Sequence, residues 1–195
     1  MILSIDTGLA NFGLSVFDRQ DRIHYTETIQ TKKSKVKGLR VSTDYTSRIR
    51  RILVSIKKVI LTYEPKIITA EMPSFGSQGN KPAIGMVIGS TILLGSSVFN
   101  NIPIILASPR QIKEYFTKDP NADKKLIMSK CCDIYGWDIT YKTVSFKKKD
   151  KPDRKDPIYN VMGKQLSAGY FEHIADSIAA YYTCKQLKEF KEYDI

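Results

Sequence analysis

Apolar and polar residues alternate along this chain at two periods, and together these periods predict a protein of the α/β class. Short apolar runs predict strands over residues 1–6, 12–18, 23–30, 67–71 and 102–106. Apolar residues at helical spacing predict helices over residues 44–63, 83–98 and 122–135, from 109 onward, and from 171 to about 190. Strands that alternate with helices in this order indicate a mixed central β-sheet flanked by helices.

Residues at the ends of the predicted elements refine this picture. Ser108 is a typical N-cap, and Pro109 after it is favoured at the first helical position. Asn121 is a second candidate cap. Residues 137–167 show no sustained periodicity and are rich in lysine, so we expect either an ordered excursion or a mobile basic arm. With no internal repeat visible, a single domain over residues 1–195 is expected.

Composition excludes several classes of protein. No apolar run reaches the roughly 18 residues of a membrane-spanning helix, and the N-terminus lacks the basic start of a signal peptide. Cys131 and Cys132 are adjacent and Cys184 is distant, so no CxxC pair is available for a zinc site. This use of cysteine suits a reducing compartment, and we expect a cytoplasmic protein.

Charge indicates the kind of partner. The chain has 31 lysine and arginine residues against 20 acidic ones, a net charge of +11 and a pI near 9.5, which favours a polyanion such as nucleic acid. A basic surface kept for solubility is the alternative. One basic segment, 32–51, contains Lys32, Lys33, Lys35, Lys37, Arg40, Arg48, Arg50 and Arg51. A second, 141–165, contains Lys142, Lys147, Lys148, Lys149, Lys151, Arg154, Lys155 and Lys164.

Four residues carry candidate chemistry: Asp6, Glu71, His173 and Asp176. Asp6 and Glu71 each end a short apolar run, and carboxylates at the ends of buried strands are costly without a partner. His173 and Asp176 are three residues apart, so they share one helix face. Oxygen ligands with one imidazole favour Mg²⁺ or Mn²⁺ over zinc, and two such ions would activate water for phosphodiester hydrolysis. The alternative is that Asp6 only forms a turn and His173 only caps a helix.

Five segments of the chain resemble the RuvC-type Holliday junction resolvases of the RNase H-like superfamily. They are Ile2–Gly8 with Gly13, Ala70–Pro73 with Phe75, Ser108–Lys113, Asn121–Lys125 and His173–Ala179. The likeness runs in the family's order from residue 1 to about 185, and the closing motif, in which His sometimes replaces the first acidic residue, is its most specific part. The resemblance implies an RNase H-like nuclease domain that acts as a homodimer on four-way DNA junctions, in a bacterial or phage-infected cell or an organelle.

The resemblance also implies roles for individual residues. Asp6, Glu71 and Asp176 correspond to metal-binding carboxylates, and His173 is expected to bind metal or assist proton transfer. DNA contacts are expected from Phe75, Lys113, Lys124 and Lys125. Phe75 would stack on an unpaired base, unless it packs on the helix that follows, and the lysines would contact phosphates, unless they only face solvent. Arg48, Arg50 and Arg51 are candidate contacts to a DNA arm on charge alone, unless they only face solvent.

Two other functions stay open from the sequence. The basic stretch 137–167 is longer than the family's usual connection, so a broader endonuclease that cuts forks and flaps is one alternative. A non-catalytic basic DNA-binding module is the other, because charge alone gives salt-sensitive binding. An aspartic protease needs two Asp-Thr-Gly loops and this chain has one, while an actin-like ATPase needs a far longer chain.

Overall fold

The computed structural model describes residues 1–72, 85, 89, 102–144 and 153–193. Its centre is a five-stranded sheet in the order β3-β2-β1-β4-β5. The strands are β1 Ile2–Asp6, β2 Asn11–Phe17, β3 Ile23–Gln30, β4 Ile67–Glu71 and β5 Ile104–Ala107. The first three form an antiparallel meander, and β4 and β5 run parallel to β1. The predicted mixed sheet is confirmed; the predicted loop 74–82 and helix 83–98 lie outside the described residues, apart from residues 85 and 89.

Helices cover this sheet. They are α1 Val41–Tyr63, α2 Pro109–Ile112, α3 Lys124–Tyr135, α4 Ala168–Cys184 and α5 Lys188–Lys191, with a π-helical turn Lys113–Thr117 directly after α2. Ser108 caps α2 as predicted, because its hydroxyl accepts from the Gln111 amide at 3.2 Å. Among the described residues, no helix is both long and apolar enough to cross a membrane.

Two predicted helix boundaries are wrong, for local reasons. Asn121 does not cap α3; the carboxylate of Asp123 accepts from the Leu126 amide at 2.9 Å and starts that helix two residues later. The last long helix ends at Cys184 rather than near 190. There the amide of Leu187 donates to the Cys184 carbonyl, a tighter turn that closes α4 before the short helix α5 begins.

The lysine-rich stretch contains a second sheet. Strands β6 Ile139–Val144, β7 Arg154–Val161 and β8 Lys164–Ser167 pair antiparallel in the order β6-β7-β8. Tyr159 anchors this sheet in the core, 4.5 Å from the ring of Phe171 between centroids. For these strands, the alternative of an ordered segment in 137–167 is confirmed, rather than that of a mobile basic arm.

Two apolar cores lie on the two faces of the central sheet, because successive strand residues point to opposite faces. On one face, Leu3 and Ile5 pack with Ile52 and Ile56 of α1. On the other face, residues such as Ile2 pack with α4 and α3. The sheet is thus sandwiched between α1 and α4.

Helix α4 lies unusually close to the sheet, and small residues permit this. A Cβ placed on Gly13 of β2 would lie 1.9 Å from the carbonyl oxygen of His173. Nearby, the Ser4 hydroxyl donates to the Ser177 carbonyl at 2.6 Å, and the Ser15 and Ser177 hydroxyls lie 2.7 Å apart. Thr69 donates to Ser4 at 2.8 Å, so the buried hydroxyls satisfy one another.

We predict that Gly13→Ala destabilises the protein, because the added methyl group would overlap the backbone of α4. Overpacking of this kind costs about 2–3 kcal/mol, measurable as a lower free energy of unfolding in urea. The control is Gly169→Ala, at a position of α4 where an added Cβ meets no atom within 4 Å. Equal stability of the two variants would contradict the close approach of α4 to β2.

Candidate metal centre

Three elements bring the four predicted residues to one edge of the central sheet. Asp6 is the last residue of β1 and Glu71 the last residue of β4. These strands are parallel neighbours, with Ile5 opposite Ala70, so both carboxylates leave the same edge. His173 and Asp176 lie near the start of α4. The prediction that neighbouring strand ends and one helix face supply this set is confirmed as geometry.

Three of the four residues form a tight group. Atoms suited to metal binding on Asp6, His173 and Asp176 all lie within 4.8 Å of one another. His173 Nδ1 donates to Asp6 Oδ2 at 2.7 Å, and each of these two side chains is only 16% exposed. Glu71 lies outside this group but lines the same cavity, whose volume is about 440 Å³.

The turn after β1 holds Asp6 in place. Gly8 is required there, because a Cβ on it would lie 2.2 Å from the Asn11 carbonyl oxygen. The Thr31 amide donates to the Ala10 carbonyl at 2.8 Å and joins this turn to the end of β3. The Asp-Thr-Gly sequence therefore forms a tight, braced turn, and that turn directs Asp6 toward α4.

Burial and mutual repulsion perturb two of the carboxylates. Burial, followed by the negative charge of Asp6, raises the pKa of Glu71 to about 7, although Lys124 and Lys113 oppose this. Burial and the charge of Asp6 likewise raise the pKa of Asp176 to about 7. Carboxylates this close cannot all ionise near neutral pH without a nearby positive charge.

His173 is the one residue of the group whose side chain is positively charged when protonated. Burial disfavours its protonated form, but the hydrogen bond and the charge of Asp6 outweigh burial and raise its pKa. The carboxylate of Asp6 thus favours the protonated form of the imidazole. A divalent cation would relieve the same repulsion more strongly, and this set of hard oxygen donors with one imidazole suits Mg²⁺ or Mn²⁺.

Two of the predicted lysines lie at this cavity. Lys113, in the π-helical turn, and Lys124, at the start of α3, both line it, whereas the exposed Lys125 is not among its lining residues. The Lys124 ammonium is paired with the carboxylate of Glu172. Sequence reasoning missed Glu172, although its position beside His173 was a usable signal.

The other predicted DNA contacts lie elsewhere. Arg51 is exposed on α1. The Arg48 side chain is 13% exposed, and its guanidinium donates to Thr31 at 2.9 Å and pairs with Asp44. Arg48 therefore fastens α1 to the end of β3. Phe75 lies outside the described residues, and its stacking role stays a prediction.

Comparison with known proteins identifies the fold. A scan of protein families and a search of curated proteins find no match for this sequence. Among solved structures, T. thermophilus RuvC in complex with a Holliday junction substrate matches with a TM-score of 0.60 and 18% identity, covering 93% of this chain and 90% of that one. A second Thermus thermophilus RuvC structure matches with a TM-score of 0.60 and 16% identity, over 93% and 91% of the two chains. The chain has the RuvC-type RNase H-like fold that its motifs predict.

Asp176→Asn should stabilise the metal-free protein at neutral and alkaline pH. Because the folded-state pKa of Asp176 is raised from 3.8 to about 7, the wild type loses stability as the pH rises through this range, and asparagine does not. One pKa unit corresponds to about 1.4 kcal/mol, so the shift from 3.8 to about 7 amounts to about 4 kcal/mol, and the melting temperature in EDTA near pH 8 should rise by roughly 10 °C.

The pH dependence distinguishes this effect from a general gain in stability. Near pH 3 the carboxyl group of Asp176 is mostly protonated in both states, so variant and wild type should melt together. Asp133→Asn, at an exposed position of α3, is the control and should show no such trend. A melting-temperature difference that is constant from pH 3 to pH 8 would contradict the assigned charge repulsion.

Proposed function

We propose that this protein is a structure-selective endonuclease that resolves four-way DNA junctions by metal-dependent hydrolysis of phosphodiester bonds. The observation that carries the proposal is the group formed by Asp6, His173 and Asp176 within 4.8 Å. This group lies at a sheet edge in a protein of net charge +11. The protein also has the fold of RuvC, which was solved with a Holliday junction substrate. Cation-binding carboxylates inside a basic protein suit hydrolysis of a polyanion.

In this proposal the four residues of the cavity have distinct roles. Asp6, Glu71 and Asp176 hold two Mg²⁺ or Mn²⁺ ions, which when bound activate the attacking water and stabilise the leaving 3′-oxygen. His173 either completes the ligand set or accepts a proton from the water, and its hydrogen bond to Asp6 fixes the orientation of its ring.

The basic residues around the cavity hold the DNA in this proposal. Lys113 and Lys124 line the cavity itself, so they are placed to contact phosphates beside the cleaved bond. Lys125 and Arg51 contact phosphates further away, and Phe75 stacks on an unpaired base at the junction centre. Arg48 keeps α1 in position rather than contacting DNA, since its guanidinium is already engaged.

The proposal includes a homodimer that carries two such sites, because a four-way junction is resolved by two nicks. It also places the protein in the cytoplasm of a bacterium or of a phage-infected cell, or in an organelle, where branched DNA arises. Both points follow from the resemblance to RuvC-type resolvases.

A broader branched-DNA endonuclease is the second candidate function. The observation that favours it is the sheet β6-β7-β8, which stands directly before α4 and leads into the candidate metal centre. An additional ordered surface directly before α4 would change which branched structures fit. A non-catalytic DNA-binding module is less well supported, because it would have no use for buried carboxylates that repel one another.

We predict that the protein cuts a labelled synthetic four-way junction when Mg²⁺ or Mn²⁺ is present, and that EDTA abolishes cutting. Asp6→Asn and Asp176→Asn should each lower the cleavage rate by at least about 100-fold, because each removes a ligand charge. Both variants should bind the junction at least as tightly as the wild type, since a carboxylate that faces phosphate is lost. Asp133→Asn is the matched control and should cut normally.

The substrates in this assay distinguish the candidate functions. Paired symmetric nicks in the four-way junction, with linear duplex and Y-shaped DNA left intact, would establish a resolvase. Comparable cutting of forks and flaps would establish the broader endonuclease instead. Tight binding without cutting under either metal, or normal cutting by Asp6→Asn, would refute the catalytic proposal.

We predict that Glu172→Gln strengthens junction binding. The Glu172 carboxylate is paired with Lys124 and competes with a phosphate for that ammonium group. Releasing an exposed ion pair of this kind is worth about 0.5 kcal/mol, or roughly a twofold gain in affinity, measurable by fluorescence anisotropy in EDTA. Glu189→Gln, at an exposed position of α5, is the control. Weaker binding by Glu172→Gln would show that the pair positions Lys124 rather than sequestering it.

A further inference from the structure

The outer surface of α1 and of the segment before it has a single sign of charge. Between residues 32 and 63, all of which the structure describes, Asp44 is the only acidic residue. Its side chain is buried, where it accepts from the Ser34 amide at 2.7 Å and pairs with Arg48. The cations that stay exposed are Lys32, Lys33, Lys35, Lys37, Arg40, Arg50, Arg51, Lys57 and Lys58. This surface is therefore cationic with no exposed carboxylate to balance it.

The first half of α1 also carries a polar groove. Four hydroxyl residues and one arginine line a cavity of about 380 Å³: Ser42, Thr43, Thr46, Ser47 and Arg50. All five are exposed. Hydroxyl groups with an arginine are the side chains that most often contact DNA phosphates and sugars, together with lysine and backbone amides. The groove extends over about 12 Å of helix, a length over which one DNA strand presents roughly three or four phosphates.

The topology puts this groove on the same edge of the sheet as the candidate metal centre. β3 runs parallel to β1, because both are antiparallel to β2, so β3 ends at the edge where Asp6 lies. The Arg48 side chain donates to Thr31, directly after β3. The other end of α1 lies at the opposite edge, where the Lys66 amide after the helix donates to the Met1 carbonyl.

From these observations we propose that the groove of Ser42, Thr43, Thr46, Ser47 and Arg50 is a binding site for the phosphate backbone of a duplex DNA arm. This inference rests on the proposed function, because it adds a contact with a duplex arm of the junction to the contacts at the cleaved bond. Charge complementarity identifies the occupant: a polyanion gains from Arg50 and from the exposed cations at the start of α1 and directly before it. A second copy of the chain would instead bring the same cations against it.

The test compares two charge-neutralising variants of α1 that differ in position. Arg50→Gln removes a cation from the groove, and Lys58→Gln removes an exposed cation from the half of the helix toward the opposite edge. Affinity for a four-way junction is measured in EDTA across a series of salt concentrations, so that no cutting is involved. Arg50→Gln should lower the affinity about fivefold near 0.1 M salt and reduce the slope of log K against log salt by about one unit. Lys58→Gln should stay within twofold of the wild type.

A third variant tests the hydroxyl groups separately from charge. Ser47→Ala should weaken binding about threefold while leaving the salt slope unchanged, because it removes a neutral phosphate contact and no counterion-releasing charge. Equal effects of Arg50→Gln and Lys58→Gln, or no effect of Arg50→Gln, would overturn the groove as a binding site.

Cleavage by the wild type, measured in parallel with Mg²⁺, separates this inference from the proposed function. Junction cutting with no loss of affinity in Arg50→Gln would refute the groove alone. Loss of affinity in Arg50→Gln and Ser47→Ala without any cutting by the wild type would support the groove and refute the nuclease.

Discussion

The packing of α4 against the central sheet is the contact on which the candidate centre depends. Its backbone approaches β2 so closely that the carbonyl of His173 occupies the space where a side chain of residue 13 would be. At this close approach serine hydroxyls make part of the contact, because Ser4 and Ser15 both bond to Ser177 of α4. Thr69 donates to Ser4 within the sheet. Each of these buried hydroxyls has a partner, so the polar interface costs little and fixes one register of α4.

The same register of α4 on the sheet sets the geometry of the candidate metal centre. Ser177, which bonds to Ser4 and Ser15, directly follows Asp176, and His173 is the residue that overlies Gly13. The same turn of α4 therefore docks the helix and presents its two candidate ligands to Asp6. This arrangement holds against the mutual repulsion of carboxylates whose pKa values burial raises to about 7. A site that remains assembled despite this repulsion is preorganised for a cation, because little rearrangement is needed on binding.

Sequence reasoning predicted those parts of the protein in which local pattern and tertiary environment agree. The runs that end at Asp6 and Glu71 are buried on both faces and read clearly as strands, so the carboxylates at their ends could be placed together in advance. The sheet β6-β7-β8 was not predicted, because β6 is exposed along nearly its whole length and shows no alternation. The role of Arg48 was missed because a basic residue in a charged run is expected to face solvent, whereas Asp44 and Thr31 hold it inward. The hydroxyl contacts between α4 and the sheet could not be predicted, because no local sequence pattern shows which helix packs on which strand.

A nuclease with an acidic centre has to hold a polyanion beside charges that repel it. Two like charges at 4 Å repel by about 1 kcal/mol even in water and by more near a protein surface, so the carboxylates cannot contribute to DNA affinity until a cation is bound. Lys113 and Lys124 lie within the cavity, but Glu172 already compensates the charge of Lys124. Net attraction must therefore come from cations that lie near the centre without sharing its carboxylates. The exposed face of α1 meets this requirement, because its one carboxylate is turned inward and its first half begins at the edge where Asp6 and Glu71 end. In the proposed nuclease, DNA binding and hydrolysis would thus be assigned to elements on opposite faces of one sheet, and the two sites lie at the same edge of that sheet.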